Sequence, residues 1–261
     1  MTFAPRRLPR LAGLLLCAAL PLLADEKTPV ERSNQDSQIL LGVFARFAPE
    51  TAGRLGVPGL DEEILDLKPG VTERSIQATE DAVAQLKALL DSEKDPYVRL
   101  DLQLVIDAGE RNVTGTRLGQ KYDVPYFDLP QTIFSGIRAL LDDQVAPERR
   151  DKALVRLRKY AGLEPGTTPL VTLAEDRTRE RLSTPGLHAP FKDQLEKDLG
   201  NGPRFTAGIG QLFDKYRIEG YQEAYGKLKK QLSDYETFVR TTLRRAGAMR
   251  LKVDPARGAA D

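Results

Sequence analysis

The stretch YQEAYGKLKKQLSDYETFVRTT, residues 221–242, repeats its larger side chains every three or four residues. The repeating positions are Tyr221, Tyr225, Leu228, Leu232, Tyr235, Val239 and Thr242. Because an α-helix has about 3.6 residues per turn, side chains at this spacing form one stripe along a helix. Such a stripe is typical of a helix packed against a protein core. The sequence therefore predicts a long, half-buried helix here.

Similar signals mark helices along the rest of the chain. Thr28-Pro29-Val30-Glu31 has the form of a capping box, and Asp95-Pro96 is a cap followed by Pro at the first helical position. Thr72 is expected to cap a helix between these two. Further helices are predicted near 131–143, 147–161 and 169–183. Gly200-Asn-Gly-Pro203 is expected to separate a helix at 190–199 from one at about 205–216.

Strand signals are missing from the sequence. No run alternates apolar and polar residues, and no segment repeats at a fixed period. The Pro-rich stretch 121–130 is expected to be a connection, because Pro disfavours a helix at the preceding residue. We predict an all-α protein, an irregular array of about eight to ten helices with no substantial sheet.

The first 24 residues have the order of a secretory signal peptide. Three Arg precede the apolar run 11–20, which is too short to span a bilayer, and small residues lead to Ala24. We expect cleavage near Ala24 and a periplasmic or secreted protein; the alternative is a lipoprotein signal in which Cys17 is acylated. A helical domain is expected over 25–245, with a flexible tail at 246–261. No later segment approaches 18 consecutive apolar residues, so no integral membrane segment is expected after cleavage.

Composition excludes several kinds of site. One His and one Cys cannot supply an ordinary zinc site, and one Cys cannot form an internal disulfide. The 39 Lys and Arg against 38 Asp and Glu give no basic excess of the kind that indicates nucleic-acid binding. We therefore predict no metal, no cofactor and no nucleic-acid partner.

Local motifs offer few catalytic candidates. His188 lies between prolines without a neighbouring nucleophile, which favours a surface or capping role. Asp61-Glu62-Glu63 is expected to open a short helix toward Leu65, where acidic residues favour the helix dipole. The basic run 149–159 is interpreted as a solvated helix face. No catalytic residue is assigned.

One stretch indicates an interaction. The Pro-stiffened connection contains three aromatics, Tyr122, Tyr126 and Phe127, and such rings can form a preorganised edge for a peptide or another domain. The competing interpretation is that these rings pin the connection onto the core.

Several segments together resemble a family of exported bacterial proteins, domain of unknown function 885. They are Phe47-Ala-Pro-Glu-Thr-Ala-Gly-Arg-Leu-Gly56, Gly59-Leu-Asp61, Leu65-Asp-Leu67, Gln131-Thr-Ile-Phe134, Ala153-Leu-Val-Arg-Leu157 and the helix from Tyr235 to Arg245. The resemblance runs from about Val30 to Arg245 and covers the N-terminal half of that family. It implies a mainly helical fold related to zinc metallopeptidases.

The zinc-binding part of the family has no counterpart in this sequence. Family members carry a segment like His-Glu-x-x-Pro-Gly-His in their C-terminal half, whereas His188 is the only histidine here and lies between Leu187 and Ala189. The resemblance therefore implies a non-catalytic N-terminal half, inactive alone. The alternative is a periplasmic binding or scaffold module that docks a separate catalytic half or a peptide. A third reading, catalysis by two carboxylates, finds no pair selected by the spacing.

Overall fold

The computed structural model describes residues 27–243, and this part of the chain is helical. Its ten α-helices are α1 (Pro29–Phe47), α2 (Pro49–Arg54), α3 (Val71–Ser92), α4 (Pro96–Tyr122), α5 (Leu129–Arg138), α6 (Pro147–Arg150), α7 (Lys152–Tyr160), α8 (Leu170–Leu182), α9 (Lys192–Lys215) and α10 (Gln222–Phe238). A π-helical turn, Val239–Leu243, continues α10. Within 27–243 the one β-type pairing is an isolated bridge between Asp123 and His188. The predicted all-α array is confirmed.

The predicted capping signals start two of the helices. The backbone N–H of Glu31 donates to Thr28 Oγ1 at 3.3 Å, and the Glu31 carboxylate accepts from Thr28 N at 2.8 Å. This reciprocal pair satisfies two of the N–H groups that a helix start leaves free. At α4 the Asp95 carboxylate accepts from the backbone N–H of Tyr97 at 2.9 Å.

The buried apolar residues form two clusters. The smaller lies among α1, α3 and α4 and contains Leu40, Ala82, Val83, Leu86, Val98, Leu102 and Ile106. The larger is built mainly by α5 and α7–α10, and its fully buried members include Leu129, Ile133, Ile137, Leu157, Tyr160, Ile209, Phe213 and Leu228. Helices α5, α9 and α10 in the larger cluster position the cleft described below.

Residues 55–70, the connecting segment, run from α2 to α3 without helix. The predicted short helix at Asp61-Glu62-Glu63 is wrong. These three carboxylates instead pair with Arg149, Lys152 and Lys159, at 2.8, 2.5 and 2.8 Å. These three carboxylates are therefore stabilised by ion pairs with basic side chains of α6 and α7, and not by a helix dipole.

Arg156 shows that the basic run 149–159 is not wholly a solvated face. Its side chain is buried, and its guanidinium donates to the carbonyls of Gly136 at 2.7 Å and Leu60 at 2.6 Å. Because Leu60 lies in the connecting segment, this arginine fastens the segment to α5 and α7. The solvated-face interpretation is wrong for Arg156.

The predicted break at Gly200-Asn-Gly-Pro203 is also wrong, since α9 runs without interruption and contains Pro203. Two glycines of α9 serve close packing. A Cβ at Gly208 would meet the Phe134 ring of α5 at 2.7 Å, and one at Gly210 would meet the Tyr225 ring of α10 at 3.0 Å. Small residues there let the neighbouring helices approach α9 closely.

Other boundaries differ by smaller amounts. Helix α3 begins at Val71 after Gly70, whose left-handed φ of 66° favours glycine, so Thr72 is not the cap. The helix predicted at 131–143 ends at Arg138, and the one at 147–161 is divided at Asp151. The predicted signal peptide, 1–24, and the tail, 246–261, lie outside the described residues. Within 27–243, no helix combines the length and apolar character needed to cross a membrane.

Candidate functional site

A cleft of about 330 Å³ lies between α9 and α10, beside the loop that leads into α5. The loop is held in place from α10, because the Tyr235 hydroxyl donates to the Phe127 carbonyl at 2.8 Å. The Tyr225 hydroxyl donates in the same way to the Thr206 carbonyl at 3.1 Å and joins α10 to α9. The cleft is therefore bounded by rigid elements, as preformed ligand sites usually are.

Most of the cleft wall is apolar or aromatic. The residues that contribute it are Tyr126, Pro130, Leu199, Gly202, Pro203, Ala207, Tyr225, Leu232, Tyr235 and Val239. Gly202 lies against Pro130, where a Cβ would be 3.5 Å from its ring. A wall of this composition favours the apolar body of a ligand over water.

Two carboxylates give the cleft an acidic pole. Asp198 of α9 is only 7% exposed, and its Oδ1 accepts from Gln194 Nε2 at 2.7 Å. Asp128 caps α5 by accepting from the backbone N–H of Gln131 at 3.3 Å. Burial raises the pKa of Asp128, and the charge of Asp198 raises it further against the opposing Gln131 bond. The acidic pole thus lacks enough water to screen two neighbouring negative charges.

Tyr126 joins this acidic pole. Burial raises the pKa of its phenol, and the charges of Asp198 and Asp128 act in the same direction. The phenol therefore stays protonated at neutral pH, and its O–H is a donor in the cleft.

The rim of the cleft carries one base and one further acid. Lys229 is exposed on α10, and Glu236, two turns further along the same face, pairs with Arg240 at 2.7 Å. Arg240 neutralises Glu236, so the remaining charges are the negative charges of Asp128 and Asp198 and the positive charge of Lys229. The cleft is net negative, so it disfavours anionic ligands.

The structure separates the three aromatics of the predicted interaction loop. Tyr126 lines the cleft, and both Tyr126 and Phe127 are half-buried against the larger cluster. Tyr122 is exposed at the end of α4, where its ring stacks on His188 with 6.4 Å between centroids. The loop is therefore not one continuous aromatic edge.

His188 lies on the surface, away from the cleft. Its side chain is 65% exposed, and its Nδ1 is 4.0 Å from Asp123 Oδ1. Its backbone bonds with Tyr122 and Val124 hold the two loops together. Across the described chain, no three side chains of His, Cys, Asp or Glu gather in a way that could hold a metal ion.

Glu50 of α2 lies in a second polar cluster. Its Oε1 accepts from the Tyr160 hydroxyl at 2.7 Å and from the backbone N–H of Leu65 at 2.8 Å. Tyr160 is fully buried, and burial and the neighbouring carboxylate of Glu50 raise its pKa well above the usual range. Glu50 therefore binds the connecting segment to α7, a structural role.

The sequence singled out Tyr126 but neither Asp128 nor Asp198. Asp128 carries a readable signal, because Asp-Leu-Pro resembles the start of a helix. Asp198 carries none, since an acid within a charged helix is ordinary. Comparison of the chain with protein-family models, curated proteins and solved structures found no match.

Proposed function

We propose that this chain is an exported helical binding module without catalytic activity of its own, equivalent to the N-terminal half of the family it resembles. The observation that supports binding is the cleft, which combines apolar walls with an acidic pole. The resemblance supports the proposed lack of catalytic activity, because residues 1–261 contain no counterpart of the family's zinc-binding segment. Export is supported by the signal-peptide order of residues 1–24.

Binding fits the cleft better than hydrolysis by its two carboxylates. Asp128 already caps a helix and Asp198 already accepts from Gln194. Among the described residues, no imidazole lies beside the Ser and Thr hydroxyls of the cleft, because His188 is elsewhere.

The ligand class that suits the cleft is an organic cation with an apolar body. The apolar walls favour burial of the body, while Asp128 and Asp198 favour a positive group at the inner end. An alkyl or aryl ammonium has both parts. An anionic analogue would meet the aspartates and is excluded by repulsion.

Calorimetric titration with phenethylamine, phenethyl alcohol and 3-phenylpropionate tests this ligand class. A hydrogen bond to a charged group contributes about 1.5 kcal/mol, so the amine should bind about tenfold more tightly than the alcohol. Asp198→Asn should remove this preference, while Asp234→Asn, on the exposed face of α10, should keep it. Ala207→Trp should fill the cleft and abolish binding of all ligands. Equal affinity for the three compounds, or no binding, refutes the proposal.

The absence of catalysis and the export step have separate tests. The purified chain should contain no stoichiometric zinc and hydrolyse no peptide; one tightly bound zinc per chain together with hydrolysis would contradict the proposal. The secreted chain should begin at Asp25, and a chain acylated at Cys17 would show that the signal is of the lipoprotein type.

The alternative candidate is a scaffold that docks a separate catalytic half. It is supported by exposed apolar side chains such as Phe191, 87% exposed at the start of α9. Its test is whether the neighbouring reading frame encodes the missing His-Glu segment. If it does, co-expression of the two chains should give a stable complex; without such a frame the alternative fails.

A further inference from the structure

Helix α4 has a second apolar face that points away from the bundle. Its buried residues are Val98, Leu102, Ile106, Gly109 and Val113. On the opposite side, Tyr97, Leu100, Leu104 and Leu118 are 76%, 59%, 56% and 52% exposed. We define the outer stripe as positions 97, 100, 104, 107, 111, 114, 118 and 121. They alternate at three and four residues, the spacing of a helix that pairs with another helix.

We propose that the outer stripe pairs with the outer stripe of a second copy of this chain, antiparallel, about a twofold axis near residue 109. Each residue of the outer stripe then faces the residue of the second copy that lies at the same distance from the twofold axis. Leu100 faces Leu118, Leu104 faces Thr114, Tyr97 faces Lys121, and Asp107 faces Arg111. Such an arrangement is isologous, the commonest symmetry of homodimers.

Charge selects this orientation. In the antiparallel pair, Asp107 of each copy lies beside Arg111 of the other, which gives two ion pairs at the centre. In a parallel pair, Asp107 would face Asp107 and Arg111 would face Arg111, and both contacts are repulsive. Arg111 is exposed and makes no hydrogen bond or ion pair within residues 27–243. Asp107 accepts from Gln103 Nε2 at 2.7 Å and is otherwise open to a partner.

The flanks of the outer stripe are compatible with close approach. Ala108 and Gly115 lie along one side, and Gly115 has no side chain or neighbour in the way. On the other side, Glu110 is paired with Lys87 at 2.6 Å and Arg117 with Glu80 at 2.7 Å. These two charges are therefore neutralised within one copy, and neither repels the second.

A second copy accounts for the outer stripe better than an unrelated partner. Helix α4 has 27 residues, about 40 Å, so the full stripe is long enough for a two-helix contact. The symmetric placement of Asp107 and Arg111 matches a surface that meets itself. A separate catalytic half or a peptide would need no such symmetry.

Analytical ultracentrifugation of the exported chain, produced from its complete coding sequence, tests the pairing. We expect a dimer that dissociates on dilution, and a monomer for Leu104→Glu with an unchanged helical circular dichroism spectrum. Asp107→Arg and Arg111→Asp should each raise the dimer Kd at least about tenfold, and the double variant should restore it. A wild-type chain that stays monomeric at about 0.1 mM overturns the proposal, as does a double variant no better than the single ones.

Cross-linking tests the orientation. Cys17, in the predicted signal peptide, is the only cysteine, so an introduced cysteine reports on one position. Ala108→Cys lies beside the axis and should be joined to its copy by a short bis-maleimide. Leu100→Cys is the matched control, since its two copies would be about 27 Å apart along the antiparallel pair. Cross-linking of Leu100→Cys and not of Ala108→Cys would show a parallel pair and overturn the proposal.

Discussion

Gly136→Ala tests the polar cluster that holds the connecting segment. Gly136 lies in α5, and a Cβ there would overlap the Tyr160 hydroxyl and lie 3.1 Å from Cγ of Glu50. Tyr160 is fully buried and cannot turn outward, so the substitution must break its bond to Glu50 or displace the helix. The substitution adds one methyl group, and the nearest atom to that group would be the Tyr160 hydroxyl oxygen.

The expected magnitude follows from three contributions. Overpacking costs about 1–3 kcal/mol, and the lost hydrogen bond to a charged group costs about 1.5–3 kcal/mol. Ala is about 1 kcal/mol more favourable than Gly within a helix. We therefore expect the free energy of unfolding to fall by about 3 kcal/mol, measured by urea denaturation followed by circular dichroism. Gly226→Ala is the matched control, because Gly226 is helical and exposed with no atom near its Cβ; it should gain about 1 kcal/mol.

The same substitution in a Tyr160→Phe background decides whether this cause is correct. Without the hydroxyl, the Cβ meets only Cζ, at 3.4 Å, and the Glu50 methylene. Gly136→Ala should then cost less than about 1 kcal/mol. If it costs the same in both backgrounds, the Tyr160 hydroxyl is not the obstacle and the argument is refuted.

Three further predictions concern the same fold. Arg156→Met should cost about 3 kcal/mol in urea denaturation, because two buried carbonyls lose their donor, whereas Arg138→Met, on the surface, should be near neutral. The hydrogen bond from Arg149 lowers the pKa of Asp61 below its usual 3.8. The stabilisation by Asp61 should therefore be full above pH 3.8 and vanish as the pH falls through the lowered pKa, so the stability difference between wild type and Asp61→Asn should close in acid. Thr28→Ala should lower the free energy of unfolding by about 1 kcal/mol through loss of the α1 cap, measured by thermal denaturation.

The helical fold was predictable because its signals are local. Capping at Thr28 and Asp95 depends on neighbours within three residues, and the α10 stripe depends on spacing within one helix. The continuity of α9 was not predictable in this way. Gly202 and Pro203 indicate a break in the sequence, but in the fold Gly202 lies against Pro130, where a Cβ would be 3.5 Å from its ring.

The candidate site was only partly predictable because its parts are distant in sequence. The sequence identifies Tyr126 as an aromatic residue of the connection 121–130, whereas only the fold brings Asp198 beside Tyr126 and Asp128. The burial of Arg156 was not predictable for the same reason. Its neighbours in the run 149–159 pair at the surface, whereas Arg156 donates to the carbonyl of Leu60, 96 residues away in the sequence.

The connecting segment also has a consequence for the order in which the chain can fold. Its partners Arg149 and Arg177, and Tyr160, which binds the neighbouring Glu50 of α2, lie about 90 to 110 residues after the groups they bind. A ribosome that delivers the chain from its N-terminus therefore releases Glu50 and Asp61 long before those partners exist. Helices α3 and α4 can pair at once, since a short turn joins them. The contacts that fix the connecting segment can therefore form only after α7 and α8 have emerged.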